Sequence, residues 1–293
     1  CCVPVRLLKN PFISMQKTHD VMQTDWFEHG RQGRRARTLL VSALFVSAAL
    51  FPFLAQAQGQ GPVRLKIAAA SNLKFVLADL ASQYKQQTGV QVDVNLGASG
   101  NLARQILQGL PVEQFISADE AWVAELAKAG RTVDAGQRYA TGRLALIVPK
   151  NSALPLAQGL AAVVRAMKAG DKFAIANPAL APYGVAAEEA LRRSGVGPLP
   201  TVQKVLGDHI GQATQFVATG AAQAGITALA LAKAPEMADL LQWAPLPESM
   251  HAPLYQSMVL LKGASPAAVA WQRFLRSPKA QAVFVQQGYA LPQ

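Results

Sequence analysis

The sequence predicts an α/β fold in two lobes, and three observations predict it. Beyond Pro62, short β-rich runs alternate with amphipathic helical segments. The apolar, proline-ended run "RLALIVP" (Arg143 to Pro149) closes one such series and a second begins after it. At 293 residues, with 51% hydrophobic and 15% charged content, the chain is long enough for two ordinary globular domains.

The first 57 residues stand outside that pattern. "RRAR" (Arg34 to Arg37), an apolar run from Leu39 to Leu54 and "AQA" (Ala55 to Ala57) are the charged, apolar and small-residue parts of a secretory signal, with cleavage expected after Ala57. A transmembrane anchor is the competing reading, but the run falls short of the roughly 20 residues of a span and contains Pro52. Arg34 and Arg35 lack the rest of a twin-arginine motif, so general export is expected. Residues 1–33 precede the signal and read as a non-native extension. Both cysteines, Cys1 and Cys2, lie there, so the mature chain is expected to have no disulfide and no cysteine metal site.

Removing residues 1–57 takes away seven of the 28 Lys/Arg and three of the 17 Asp/Glu, leaving a formal charge of +7. These basic residues are dispersed without interleaved aromatics, which argues against a nucleic-acid surface.

The elements follow in order. "VRLKIAA" reads as a strand, and Leu73, Leu77, Leu80 and Tyr84 fall at helical spacing before Thr88 and Gly89 stop the helix. Next come a strand "VQVDVNL", a helix "NLARQIL" closed by Gly109, a short strand "QFISA" and a helix "EAWVAELAKAG". After "RLALIVP" the second series runs through "KFAIANP", "YGVAAEEALRRSG", "TVQKVLGDHIGQATQFVATG" and "AAQAGIT". A strand "YQSMVLL" and the helical segments "PAAVAWQRFLRS" and "AQAVFVQQGY" close the chain. The economical division is lobe 1 from residues 63–142 and 255–293 and lobe 2 from 143–254, although periodicity does not itself give the crossings. The chain has no internal repeat.

Four junctions carry the chemistry. Ser71 and Asn72 in "AAASN", "GASGN" (Gly97 to Asn101), "NPALAPYG" (Asn177 to Gly184) and "GDHIGQ" (Gly207 to Gln212) each precede a helix. They offer capping residues, or small ones that admit a ligand to the backbone, at the positive end of that helix. Such ends bind anions. Plain capping explains any one of them, so they mean a site only if they converge.

An enzyme is not expected. Ser71, Ser99, Asp208 and His209 form no recognisable catalytic set: there is no G-x-S-x-G elbow, and an Asp–His pair at a helix start reads as Asp208 capping, followed by a histidine on the surface or just behind the site. His209 and His251, the histidines beyond residue 57, have no metal-binding spacing.

In this order and spacing, "AAASN", "GASGNLARQI", "QFISAD", "NPALAPYG", "GDHIGQA" and "PESMHAPLYQS", between about Leu65 and Tyr289, resemble the periplasmic molybdate-binding proteins of ABC importers. The resemblance implies a two-lobed periplasmic-binding-protein-like fold, each lobe a mixed sheet flanked by helices, with a tetrahedral oxyanion in the interlobe cleft. It also implies contacts from Ser71 and Asn72 in the first loop, the Ser99 hydroxyl, Tyr183 and the Ile210 backbone N–H. Ser71, Ser99, Tyr183 and Ile210 would touch the oxyanion's oxygens without ligating the metal. Some members place a tyrosine just after the strand matching "AGIT", where this chain has Ala228, leaving Tyr183 to serve by its phenol, its backbone N–H or both.

The chemistry of the residues agrees. A molybdate dianion carries no proton at neutral pH, so its site needs only donors, and a nearby carboxylate would repel it. The expected protein is an exported monomer that takes molybdate or tungstate, needs no cofactor, and hands its ligand to the membrane permease of an ABC importer. The alternatives are a receptor for sulfate or another oxyanion, and a sensory effector-binding domain of the same fold.

Overall fold

Two five-stranded mixed sheets organise the structure, a computed structural model that describes residues 63–196 and 202–292. The expected secretory signal and the residues before it lie outside the described residues.

The first sheet has the order β2-β1-β3-β10-β4, built from β1 (Arg64–Ala70), β2 (Gln91–Gly97), β3 (Gln114–Ile116), β4 (Gln137–Gly142) and β10 (Leu254–Leu260). β1 runs parallel to β2 and β3, whereas β10 is antiparallel to β3 and β4. The second sheet has the order β7-β6-β8-β5-β9, from β5 (Leu144–Pro149), β6 (Lys172–Ala176), β7 (Gln203–Gly207), β8 (Ala224–Ala228) and β9 (Leu241–Pro245). Here β6 is parallel to β7 and β8, and β5 antiparallel to β8 and β9. The predicted class, mixed sheets flanked by helices, is the one found. The strands β4 and β9 and the short helices α4 (Leu160–Ala166) and α7 (Leu229–Ala232) are additional to the elements expected.

Local sequence accounts for the main elements. In β1, Leu65 and Ile67 are buried and Ala68 to Ala70 continue the buried run, as a strand covered on both faces requires. α1 (Lys74–Thr88) buries Val76, Leu77, Leu80 and Tyr84 along one stripe. It stops where Gly89, at φ 74°, donates its amide to the Lys85 carbonyl. The apolar stripe meets the first core, where Tyr84 packs edge-on against Trp271 with ring centroids 5.0 Å apart. Trp271 belongs to α8 (Pro266–Leu275), and α9 (Pro278–Gln286) follows; Ser265 and Ser277 cap them by accepting the Ala268 and Ala280 amides. The second core is built on β5 and β6, with Leu146, Val148, Phe173 and Ile175 buried against α5 (Pro182–Arg193) and α6 (Ile210–Ala218). α2 (Ser99–Leu107) and α3 (Ala121–Lys128) complete the long helices of the first half. Among the described residues no helix is long and apolar enough to cross a membrane.

This topology places a site. In open α/β sheets, ligands sit beyond the carboxyl ends of parallel strands, where the following helices begin. Ser71 follows the last residue of β1, Ser99 lies two residues past β2 and Ala118 two past β3. Tyr183 and Ile210 lie in the first turns of the helices that follow β6 and β7.

Candidate oxyanion site

Those five strand ends converge. Ala70, Ser71, Asn72, Gly97, Ala98, Ser99, Ala118, Ala181, Pro182, Tyr183 and Ile210 line one small cavity. All five residues expected to bind a ligand are thus brought together, each nearly fully buried. None of the lining residues is charged.

Each donor has a structural reason. Ser71 opens a short 3-10 turn, Ser71–Leu73, and its Oγ accepts the Gly211 amide at 3.2 Å. Ser99 is the first residue of α2, and its Oγ accepts the Ala118 amide at 3.0 Å. A hydroxyl that accepts an N–H still has its own proton to give. Among the described residues neither serine donates that proton to a protein acceptor. The backbone adds more. Ser99 and Ile210 stand first in α2 and α6 and Tyr183 second in α5, where a helix cannot pair its own N–H groups. The three helix ends add a positive dipole field without a cation.

Two side chains are placed differently from a simple ring of donors. Asn72 Nδ2 donates to Gln256 Oε1 at 3.0 Å and to Tyr289 Oη at 3.1 Å, so both amide hydrogens are used inside the protein. The Tyr183 hydroxyl lies against Gln256, whose Nε2 donates to it at 2.8 Å. Burial pushes the Tyr183 phenol well above its ordinary value, the Gln256 hydrogen bond working weakly the other way, so it stays protonated at neutral pH. Ala228 is buried and does not line the cavity.

Asp208 does not take the capping role expected of it. The N-cap of α6 is His209, whose Nδ1 accepts the Gln212 amide at 3.1 Å, while Asp208 is exposed. The imidazole wins because it sits at the position next to the helix and can present an unprotonated nitrogen. Burial lowers the His209 pKa, Asp208 opposing the shift, and so favours that neutral form. Asp119, beside Ala118 in sequence, accepts from Ser117 Oγ at 3.1 Å and from the Trp122 amide at 3.3 Å at the start of α3. Among the described residues no cluster of His, Cys, Asp and Glu suits a metal ion. A wider groove, lined in part by Asp79, Lys233 and Glu236, mixes both signs of charge and is less suited to a dianion.

Sequence reading did not find Gly211, Ala118 or Gln256 as supporting groups. Gly211 and Ala118 act through backbone amides, which residue type does not disclose. Gln256 carried one signal, a carboxamide in the run "YQSMVLL" that reads as a buried strand.

A fold of two mixed sheets with an uncharged, donor-lined cavity at their strand ends is that of a solute receptor. The sequence matches the family described as bacterial extracellular solute-binding protein over residues 65–290, and the chain belongs to that family. It is 37% identical to the molybdate-binding protein ModA of Azotobacter vinelandii over 232 residues, covering 78% of this chain and 90% of that protein. It is 34% identical to the protein of the same name from Rhodobacter capsulatus, covering 76% and 86%. The solved periplasmic molybdate-binding protein of Azotobacter vinelandii superposes with a TM-score of 0.69 at 30% identity, covering 78% of this chain and all of that one.

Proposed function

We propose that this protein captures molybdate in the cavity at the strand ends and delivers it to an ABC importer. The observation that supports this most is the donor set: two serine hydroxyls with undirected protons and the first-turn amides of three helices around a cavity with no charged lining residue. Such a set suits a fully deprotonated tetrahedral oxyanion and offers little to a ligand that must donate a proton. Ser71 and Ser99 give hydroxyl protons, and Asn72, Tyr183 and Ile210 give backbone N–H groups. Charge-assisted bonds of this kind contribute about 1.5–3 kcal/mol each, so a handful supports tight binding without Lys or Arg. Tungstate, of the same shape and charge, fits the same donors.

Residues 63–142 with 255–293 form one lobe and 143–254 the other, the ligand being held where they meet. The chain is exported with cleavage after Ala57, acts as a monomer in the periplasm and meets its permease there. Calorimetric titration with sodium molybdate, tungstate, sulfate and phosphate tests the ligand. Tight binding of the first two is expected. Binding of sulfate or phosphate without molybdate would overturn the reading.

A further inference from the structure

Gln256 lies on β10 and is fully buried, yet it does not line the cavity. Its carboxamide touches three side chains that come from different parts of the chain. Oε1 accepts from Tyr139 Oη at 2.6 Å and from Asn72 Nδ2 at 3.0 Å, and Nε2 donates to Tyr183 Oη at 2.8 Å. Asn72 belongs to the loop after β1, in the first sheet. Tyr183 belongs to α5, which packs against β6 and β8 of the second. Both line the cavity.

Two local features are built around this carboxamide. The register of β10 against β4 shifts between Gln256 and Ser257, a β-bulge of the kind that re-aims a side chain. On β4, two residues beyond Ala140, the partner of Gln256, Gly142 leaves the space the pair occupies: a Cβ there would overlap both Gln256 Nε2 and Tyr183 Oη. The phenols of Tyr139 and Tyr183 are kept protonated by burial. Donation from Asn72 Nδ2, together with the short contact from Tyr139 Oη, which also reaches the Ser117 carbonyl at 3.2 Å, marks Oε1 as the acceptor end of the carboxamide and so directs Nε2 at Tyr183.

We infer that Gln256 is a positioning residue of the anion site, tying the Asn72 loop of one sheet to the first turn of α5 beside the other so that their backbone donors face one ligand. It touches no ligand atom itself. This rests on the proposed oxyanion reading and adds to it a group that acts through Asn72 and Tyr183.

A double-mutant cycle on affinity tests it, read by calorimetric titration of the full chain with sodium molybdate. Gln256→Leu keeps the side-chain bulk and removes every hydrogen bond; it should weaken binding about tenfold or more. Tyr183→Phe removes the same bond from the other end and should also weaken binding. The pair Gln256→Leu/Tyr183→Phe should be no weaker than Gln256→Leu, because the bond is already gone. A general loss of stability would not single out Tyr183, so Gln256→Leu combined with Ser99→Ala serves as control and should show the product of the two single losses. Wild-type affinity in Gln256→Leu, or losses that multiply with Tyr183→Phe, would overturn the inference. Should Gln256→Leu fail to fold, Tyr183→Phe carries the test, and unchanged affinity in it would be the overturning result. A wild-type protein that binds only sulfate or phosphate would overturn the molybdate reading, and the same cycle run with that anion would still decide the role of Gln256.

Discussion

The Gly211 amide and the Ser71 hydroxyl oxygen meet at 3.2 Å, joining the first turn of α6 beside the second sheet to the end of β1 in the first. The bond occupies a lone pair of Ser71 and leaves its proton for the cavity. Ser71→Ala removes both the bridge and the donor. Calorimetry should show molybdate affinity lowered by about 1.5–3 kcal/mol.

Ser99 has a double task of a different kind. Its Oγ is the acceptor for the buried Ala118 amide, at 3.0 Å, so Ser99→Ala leaves an N–H unpaired within the protein. Denaturant unfolding of the unliganded variant should show a loss of about 1–3 kcal/mol. Affinity should fall as well. Wild-type stability would mean that the Ala118 amide finds another partner.

Introducing a negative charge is the harshest probe of a site without cations. Ser99→Asp places a carboxylate among the lining residues, where it opposes a dianion at short range. Titration at pH 7.5 should show no measurable molybdate binding. Retained tight binding would place the anion elsewhere.

The first turn of α5 depends on Gly184. A Cβ there would lie 2.8 Å from the Pro178 backbone nitrogen and closer still to the Ala176 carbonyl oxygen, and backbone cannot swing away as a side chain can. Gly184→Ala should cost about 1–3 kcal/mol of stability through this overpacking. The displaced turn carries the Tyr183 amide, so molybdate affinity should drop in the same variant.

His209 gives the fold a dependence on pH. Burial holds its folded-state pKa below the ordinary histidine value, so the unfolded chain binds the extra proton first. The neutral cap therefore contributes fully above that ordinary value, and the contribution is lost as the pH falls from there towards the lower folded-state pKa. His209→Asn keeps a capping side chain that does not titrate. Between pH 7.5 and 5.5 the denaturant midpoint of the wild type should fall more than that of this variant, and equal falls would remove His209 as the cause.

Much of this architecture is legible in the residues, for reasons that also mark the limits. The Leu73, Leu77, Leu80 and Tyr84 stripe declares α1 because its burial is periodic, and "RLALIVP" declares β5 because both its faces are covered. β4 hides because "QRYATG" opens with polar residues and is completed by pairing with β10. All four residues of α7 are buried, which leaves no periodicity to read. Small and hydroxyl-bearing residues at helix starts point to the junctions that line the cavity. What they do not disclose is where each hydrogen bond goes. That Asn72 spends its side-chain hydrogens on Gln256 and Tyr289 follows from contacts between residues far apart in sequence.

The pairing of β10 with β3 also sets the order in which the protein can be made. Met258 lies opposite Ile116, with every strand of the second sheet threaded between them in the chain. β3 and β4 consequently emerge from the ribosome with the edges that β10 will cover still open, and stay so until the strands of the second sheet and then β10 have been made. Contacts this distant in sequence close slowly. Open edges invite pairing with other chains during that delay. Loss of the last 40 residues would therefore remove more than a terminal strand: it would leave the first sheet divided, with β4 cut off from the rest.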